Sequence, residues 1–369
     1  VSFDRRLVTN FEWPLLLLIV LTAAVGVVNL YSAAGPDSST GAPIWLKQVY
    51  WLAVGLGVMA ATVLINYKFF ETTAFVIFGL TFCLLALVLV AGRVVAGSQR
   101  WLSLGPVMLQ PSEMAKMAII IILARYFARR EQSRGYSIFH LILPFIYTVL
   151  LAGLILKEPD LGTTVLILLI AASMILYARV RLFSLLFLVG STLAAVPLVW
   201  TFLKDYQKKR ILAFLDPSQD PLGSAYHLIQ SKIAVGSGQV WGKGFMAGTQ
   251  SQLRFIPEKH TDFAFSVFAE EWGFVGVCVL FALLFLIVIL GLNVARRTHD
   301  RFGEFLVVGV VAYIFWQVVI NIGMVTGLLP VVGIPLPLVS YGGSSLVTTM
   351  FGVGLILNVS MRKFVYAGR

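Results

Sequence analysis

The chain has 369 residues, 59% of them hydrophobic and only 12% charged, far outside the range of soluble globular domains. Composition therefore specifies a polytopic membrane protein of the all-α class. The net charge of +11 sits mostly beside apolar runs, where it favours an anionic inner leaflet; no basic, aromatic-interleaved soluble domain is present, so no nucleic acid is expected.

Runs long enough to cross a hydrocarbon layer of about 30 Å fall near 13 to 33, 45 to 65, 71 to 91, 112 to 128, 138 to 156, 161 to 178, 183 to 203, 263 to 292, 303 to 328 and 342 to 361. About ten transmembrane helices are predicted. A long extracytoplasmic loop, about 204 to 262, joins the seventh to the eighth, and one integral membrane domain covers 1 to 369. With the N-terminus inside, Arg5, Arg6, Lys68, Arg125, Arg129, Arg130, Arg134, Arg179, Arg181, Arg296, Arg297, Arg301, Arg362, Lys363 and Arg369 share one side, while the opposite short loops hold Lys47, Arg93, Arg100 and Lys157. That bias predicts two cytoplasmic termini. The first run lacks a small-residue cleavage pattern and reads as a signal anchor. Cys83 and Cys278 lie within spans and read as small packing residues, and the four histidines lack zinc spacing.

Four outer segments carry more chemistry than a connection needs: 92 to 112, 157 to 164, 204 to 262 and 329 to 345. Gln110 to Lys116 opens a helix with Pro111 in its first turn and Glu113 at its positive end. Glu113 and Lys116, three apart, share a helical face; either they pair, or Lys116 faces a polar cavity and holds an anion or a catalytic carboxylate. Asp160, in Glu158-Pro159-Asp160, either caps the next helix or pairs with Lys116, the lysine embedded in a span. We expect the Asp160–Lys116 pair. In the long loop, 225 to 235 is predicted to be an interfacial amphipathic helix. Gly236, Gly238, Gly242, Gly244 and Gly248 then suit tight turns and hinges.

Pro257 to Phe265 is the most informative stretch. Asp262 stands at the mouth of an apolar run to Leu292 whose charged interruption is Glu270 and Glu271. A carboxylate there is expensive unless something polar uses it; it either complements the helix dipole behind a Thr261 cap or does chemistry. Leu329 to Ser345 is apolar yet rich in proline and glycine, and non-helical backbone at membrane depth survives only where protein or a watery cavity satisfies it. Gly342-Gly343-Ser344-Ser345 then opens the last span, as a simple glycine-rich entry or as a phosphate seat at a helix N-terminus. The long loop and this Pro-rich segment are expected to form a mobile cover over the site.

In this order, Gln99 to Leu102, Pro111 to Lys116, Glu158 to Thr163, Leu215 to Pro217, Asp220 to Gly223, Ile229 to Ser231, His260 to Phe263, Ala269 to Glu271 and Pro335 to Ser345 resemble the SEDS proteins (shape, elongation, division and sporulation). The resemblance covers nearly the whole chain. Gly242 to Gly244 and Gly248 to Leu253 resemble the elongation branch more than the division branch; Ala264 and Trp272 replace aliphatic residues common in relatives, and neither touches a polar group.

The resemblance implies a peptidoglycan glycosyltransferase of the bacterial inner membrane that polymerises lipid II on its outer face, inverting the anomeric carbon and releasing undecaprenyl diphosphate. Asp262 is the implied base, weak at its reference pKa unless its site is dry or acid-rich. Arg100, Lys116 and Arg210 are candidates for the diphosphate, assisted by the amides of Gly343 and Ser344, with Glu113 and Asp160 lining the same site. No cofactor is called for, and a divalent cation on the lipid diphosphate has no signature of its own. Implied partners are a class B penicillin-binding protein (a transpeptidase), membrane lipids and other elongation-complex proteins. The alternatives are a lipid-linked precursor flippase, whose ionisable residues should gather near the midplane, and a noncatalytic scaffold for a transpeptidase, which needs no base.

Overall fold

The computed structural model describes residues 9–34, 42–95, 98–104, 107–132, 135–202, 205–216, 218, 225–253, 255–256 and 258–364. Arg5, Arg6, Arg134, Arg369, Pro217 and the Asp220 to Gly223 motif lie outside them.

Each expected span is a helix: α1 (Trp13–Ala34), α2 (Ile44–Leu64), α3 (Lys68–Ala91), α4 (Pro111–Arg129), α5 (Ile138–Lys157), α6 (Leu161–Tyr177), α7 (Leu182–Phe202), then, after the long loop, α11 (Ala264–Arg297), α12 (Arg301–Thr326) and α13 (Gly343–Arg362). Seven of these, α1, α2, α3, α5, α11, α12 and α13, are long and apolar enough to cross a membrane by length and composition. The loop itself supplies α8 (Asp205–Leu215), α9 (Tyr226–Ser237) and the single turn α10 (Thr249–Gln252). One departure from an all-α chain is a small antiparallel sheet of β1 (Arg93–Val95), β2 (Ser98–Leu104) and β3 (Val107–Leu109) in the segment expected only to be polar and outer.

Helix α4 is the axis of the bundle, packing on α3, α5, α6, α12 and α13. Residues from Ala115 to Ala124 are all buried, as befits a helix that is apolar on every side. Its charges are confined to its ends, Glu113 and Lys116 at one and Arg125 and Arg129 at the other.

Two spans depart from regular backbone. In α11, Gly273 has φ 62 and ψ −165, a conformation open to glycine. The hydrogen bonds lost there are replaced by the long loop: Lys243 N donates to Glu270 O (3.0 Å) and Gly244 N to Glu271 O (3.0 Å), while Phe274 N donates to Gln239 O (2.8 Å) and Val275 N to Val240 O (3.1 Å). The other is the Pro-rich stretch before α13. It presses so closely on α1 that a Cβ at Gly26 would sit 2.4 Å from the Leu338 carbonyl oxygen.

Helix α9 differs from the interfacial helix expected. It packs on α11 and α12. Ser231 is fully buried, bonded to Ser266 Oγ (2.9 Å) and Val325 O (2.6 Å), so the amphipathic face is covered by protein.

Candidate active site

Asp262 lies in the turn leading into α11, where Thr261 N and Phe263 N both donate to Glu258 O (3.1 and 3.4 Å). The turn is tied to the bundle through its backbone: Asn321 Nδ2 donates to Asp262 O (3.0 Å) and to Ile334 O (2.7 Å). Across from it, a Cβ at Gly333 would lie 3.3 Å from Asp262 Oδ2. The side chain is half-buried, and none of the described residues donates a hydrogen bond to its carboxylate. Burial, with the Glu258 charge adding to it and Arg210 opposing, pushes the Asp262 carboxyl up to about 6.

A ladder on α12 organises the surroundings. Tyr313, Gln317 and Asn321 recur every fourth residue, so they share a face. The Lys116 ammonium lies 5.2 Å from the Tyr313 ring, whose hydroxyl bonds Thr349 Oγ1 (2.9 Å). Gln317 donates to Pro335 O (3.0 Å) and Ser345 Oγ (3.1 Å). From α2, Gln48 Nε2 donates to Ser340 O (3.2 Å). The carbonyls at 334, 335 and 340 thus each accept from a buried side-chain amide, as irregular backbone at this depth requires. Sequence reading missed these residues; the signal was a polar residue at every fourth position of an otherwise apolar span.

The expected Asp160–Lys116 pair is not made. Lys116 Nζ is 2.7 Å from Glu113 Oε1, and both side chains are buried. Glu113 is one turn away on the same helix, so that pair forms with no further ordering of the chain. Asp160 caps α6, accepting from Thr163 N (3.1 Å) and Thr163 Oγ1 (3.0 Å), and faces Arg100 at 3.9 Å. Asp160 nevertheless stands within electrostatic reach of both Lys116 and Asp262, which links the two halves of the site.

Arg100, reaching from β2, braces the turn after α5 by donating to Glu158 O (3.2 Å) and to Pro159 O. Glu158 is buried with no partner on either oxygen among the described residues; burial first and Asp160 second, against Arg100, push its carboxyl up to about 8. On α8, Arg210 is exposed and reaches Val331 O (3.4 Å), two residues from Gly333. Gly343 and Ser344 are half-buried at the start of α13, where Trp51 covers Gly343 so closely that a Cβ there would lie 2.4 Å from its ring. An indole therefore lies against the Cα of Gly343 at this entry.

The segments expected to form a mobile cover are tied to the bundle in this structure. Besides the amide-held Pro-rich segment, the glycine loop is docked on a fully buried Glu270, which accepts from Lys243 Nζ (2.7 Å), Gln250 N (3.0 Å), Thr249 Oγ1 (3.2 Å), Ser251 N (3.3 Å) and Ser237 Oγ (3.4 Å). Glu271 accepts from Ser32 of α1 (2.5 Å). A Cβ at Gly238 would lie 2.1 Å from Ala269 O, and one at Gly242 2.1 Å from Glu271 O, so these two glycines permit close contact, whereas a Cβ at Gly236 would meet nothing within 4 Å. Lys259 Nζ then donates to Ser251 O (2.8 Å), joining the docked loop to the Asp262 turn. Among the described residues, no group of three or more His, Cys, Asp or Glu side chains gathers as a metal site would need.

A family profile described as a cell cycle protein, FtsW/RodA/SpoVE, matches residues 12–364. The chain is 41% identical over 354 residues to the peptidoglycan glycosyltransferase MrdB of Escherichia coli K12, covering 95% of this chain and 94% of that protein. It is 37% identical over 360 residues to a probable peptidoglycan glycosyltransferase FtsW of Trichlorobacter lovleyi, covering 95% and 93%. Among solved structures it is similar to a chain of a peptidoglycan synthase complex that coordinates polymerization and crosslinking (TM-score 0.81, 33% identity, 96% and 98% covered). It is also similar to the rod shape determining protein RodA of Thermus thermophilus (TM-score 0.72, 30% identity, 96% and 98% covered).

Proposed function

We propose a working mechanism from the premise that this chain belongs to the FtsW/RodA/SpoVE family, the SEDS proteins, and is a multi-pass bacterial membrane protein with peptidoglycan glycosyltransferase activity. The whole chain acts as one unit in the inner membrane, with both termini cytoplasmic and Asp262 on the outer face, the arrangement favoured by the Lys and Arg bias.

Polymerisation joins two lipid II molecules. The 4-hydroxyl of the N-acetylglucosamine on one attacks the anomeric carbon of the muramyl sugar on the other, and undecaprenyl diphosphate leaves with inversion. Asp262 takes the hydroxyl proton. The observation that carries this role is a half-buried carboxylate with no described hydrogen-bond donor and a pKa of about 6: it is charged at neutral pH yet basic enough to accept a proton in the transition state. Asn321 and Gly333 set its height, and Arg210 beside it is the cation best placed to receive the departing diphosphate. Arg100 and the Lys116–Glu113 pair support the site from behind Asp160, as residues that hold its walls.

The higher identity to MrdB than to the FtsW relative favours a role in elongation and rod shape. A transpeptidase of the class B penicillin-binding type is the partner we propose, by analogy with the complex that coordinates polymerization with crosslinking. The deciding experiment supplies purified, reconstituted protein with lipid II alone. Wild type should make glycan strands and Asp262→Ala none; inactive wild type would favour a scaffold, and an active Asp262→Ala would remove the base.

A further inference from the structure

The glycine loop's tip stands at the level where the spans leave the hydrocarbon. Helix α1 is 22 residues long, about 33 Å at 1.5 Å per residue, so its last turn marks one edge of a hydrocarbon layer of about 30 Å. Ser32, in that turn, bonds Glu271 at 2.5 Å. From the break at Gly273, the remainder of α11, Phe274 to Arg297, is about 36 Å long and meets the same edge by its own measure. Two independent helices therefore fix the height of Glu271 to Phe274. The loop is bonded to that point through Gln239, Val240, Lys243 and Gly244.

What the tip exposes fits that height. Trp241 is 80% exposed, Val240 52% and Phe245 47%, and they continue upward the apolar surface of α11, where Phe274 is 64% exposed. Phe245 stacks on Tyr31 of α1 (6.3 Å between centroids) and Tyr31 meets Trp45 at the start of α2 edge-on (5.7 Å); Phe245 also lies 6.5 Å from Trp272. Aromatic rings drawn from α1, α2, the loop and α11 thus form one band, the composition of a membrane–water interface.

We infer that Val240 to Met246, a segment expected to be extracytoplasmic, is seated in the outer leaflet and docks the long loop on a lipid surface. Its apolar side chains enter the headgroup and upper acyl region. The docked loop carries Ser251, which holds Lys259 (2.8 Å), three residues before Asp262. The height of the candidate base is thereby referenced to the lipid surface from which a lipid-linked substrate arrives.

The test is a depth measurement on the full chain in phosphatidylethanolamine–phosphatidylglycerol vesicles. Single cysteines replace Trp241 or Phe245 in a Cys83→Ser, Cys278→Ser background, each carrying a nitroxide, with Lys209→Cys on α8 as the aqueous control. Oxygen collisions should exceed those of a water-soluble nickel complex at 241 and 245, and the order should reverse at 209. Nickel-dominated collisions at 241 and 245 would overturn the inference, as would low collisions with both reagents, which would mean that protein covers the tip. As a check free of labels, brominated phospholipid should quench wild-type fluorescence more than that of Trp241→Phe; equal quenching would also overturn it.

Discussion

Two acidic positions eight apart at the head of α11, Asp262 and Glu270, are treated alike by the membrane and oppositely by the fold. At 270 a carboxylate is sealed in the interior and surrounded by donors from a docked loop. At 262 a carboxylate reaches the mouth of the bundle, and among the described residues Asn321 grips its backbone while none donates to its side chain. A fully donated carboxylate locks structure; one that no described residue donates to, in a partly dry site, keeps its proton affinity. The contrast separates an acid that builds the site from one that can work in it.

The largest expected effects test that division directly. Asp262→Asn should lower the lipid II polymerisation rate about 10²- to 10⁴-fold, the usual loss for a general base, with an unchanged unfolding midpoint. Glu270→Ala strands Lys243 and several amides, and should cost about 3 kcal/mol of stability, read as a lower midpoint and new proteolytic cuts between 238 and 253. A destabilised Asp262→Asn, or a Glu270→Ala as stable as wild type, would break the comparison.

Asn321→Leu should combine both phenotypes at smaller amplitude. It leaves the Asp262 and Ile334 carbonyls without their donor, at about 1–3 kcal/mol, and frees the turn that carries the base. Rate and midpoint should fall together; a normal rate would show that the turn holds its position unaided.

Smaller still is the pH dependence. The carboxylate form of Asp262 is the active one, so the rate should rise with pH through about 6 and then level off. Glu258→Gln removes a neighbouring charge that helps raise this pKa, so the rising limb should move to lower pH. An unmoved limb would leave burial and the more distant Asp160 charge as the causes.

The smallest effect concerns Glu158. Its folded pKa of about 8 exceeds the unfolded value of about 4.3, so between them the native state binds more protons than the unfolded one. Stability from this group is present at low pH and is lost as pH rises through that window. Glu158→Gln should flatten the difference in unfolding midpoint between about pH 5 and about pH 8; an unchanged slope would assign it to another group.

Span positions and membrane class were legible in the amino-acid order, because hydrocarbon demands long apolar runs; it also makes each charge near them conspicuous, which is what singled out Asp262 as a candidate. The motif order from Gln99 to Ser345 carried the family in the same way. Partner choice was not legible. Lys116 could pair with Glu113 or Asp160 by charge alone, and helix geometry decided for Glu113 at 2.7 Å. Nor could glycines at 238 and 242 reveal whether they free a loop or let it press against Ala269 and Glu271. Gln48, Gln317 and Asn321 read as stray polar residues until folding set each under a carbonyl that had lost its helical donor. Sequence periodicity reports what each segment does with lipid; which buried groups satisfy one another depends on contacts between residues as far apart as Gln48 and Ser340, and only the packed bundle sets those.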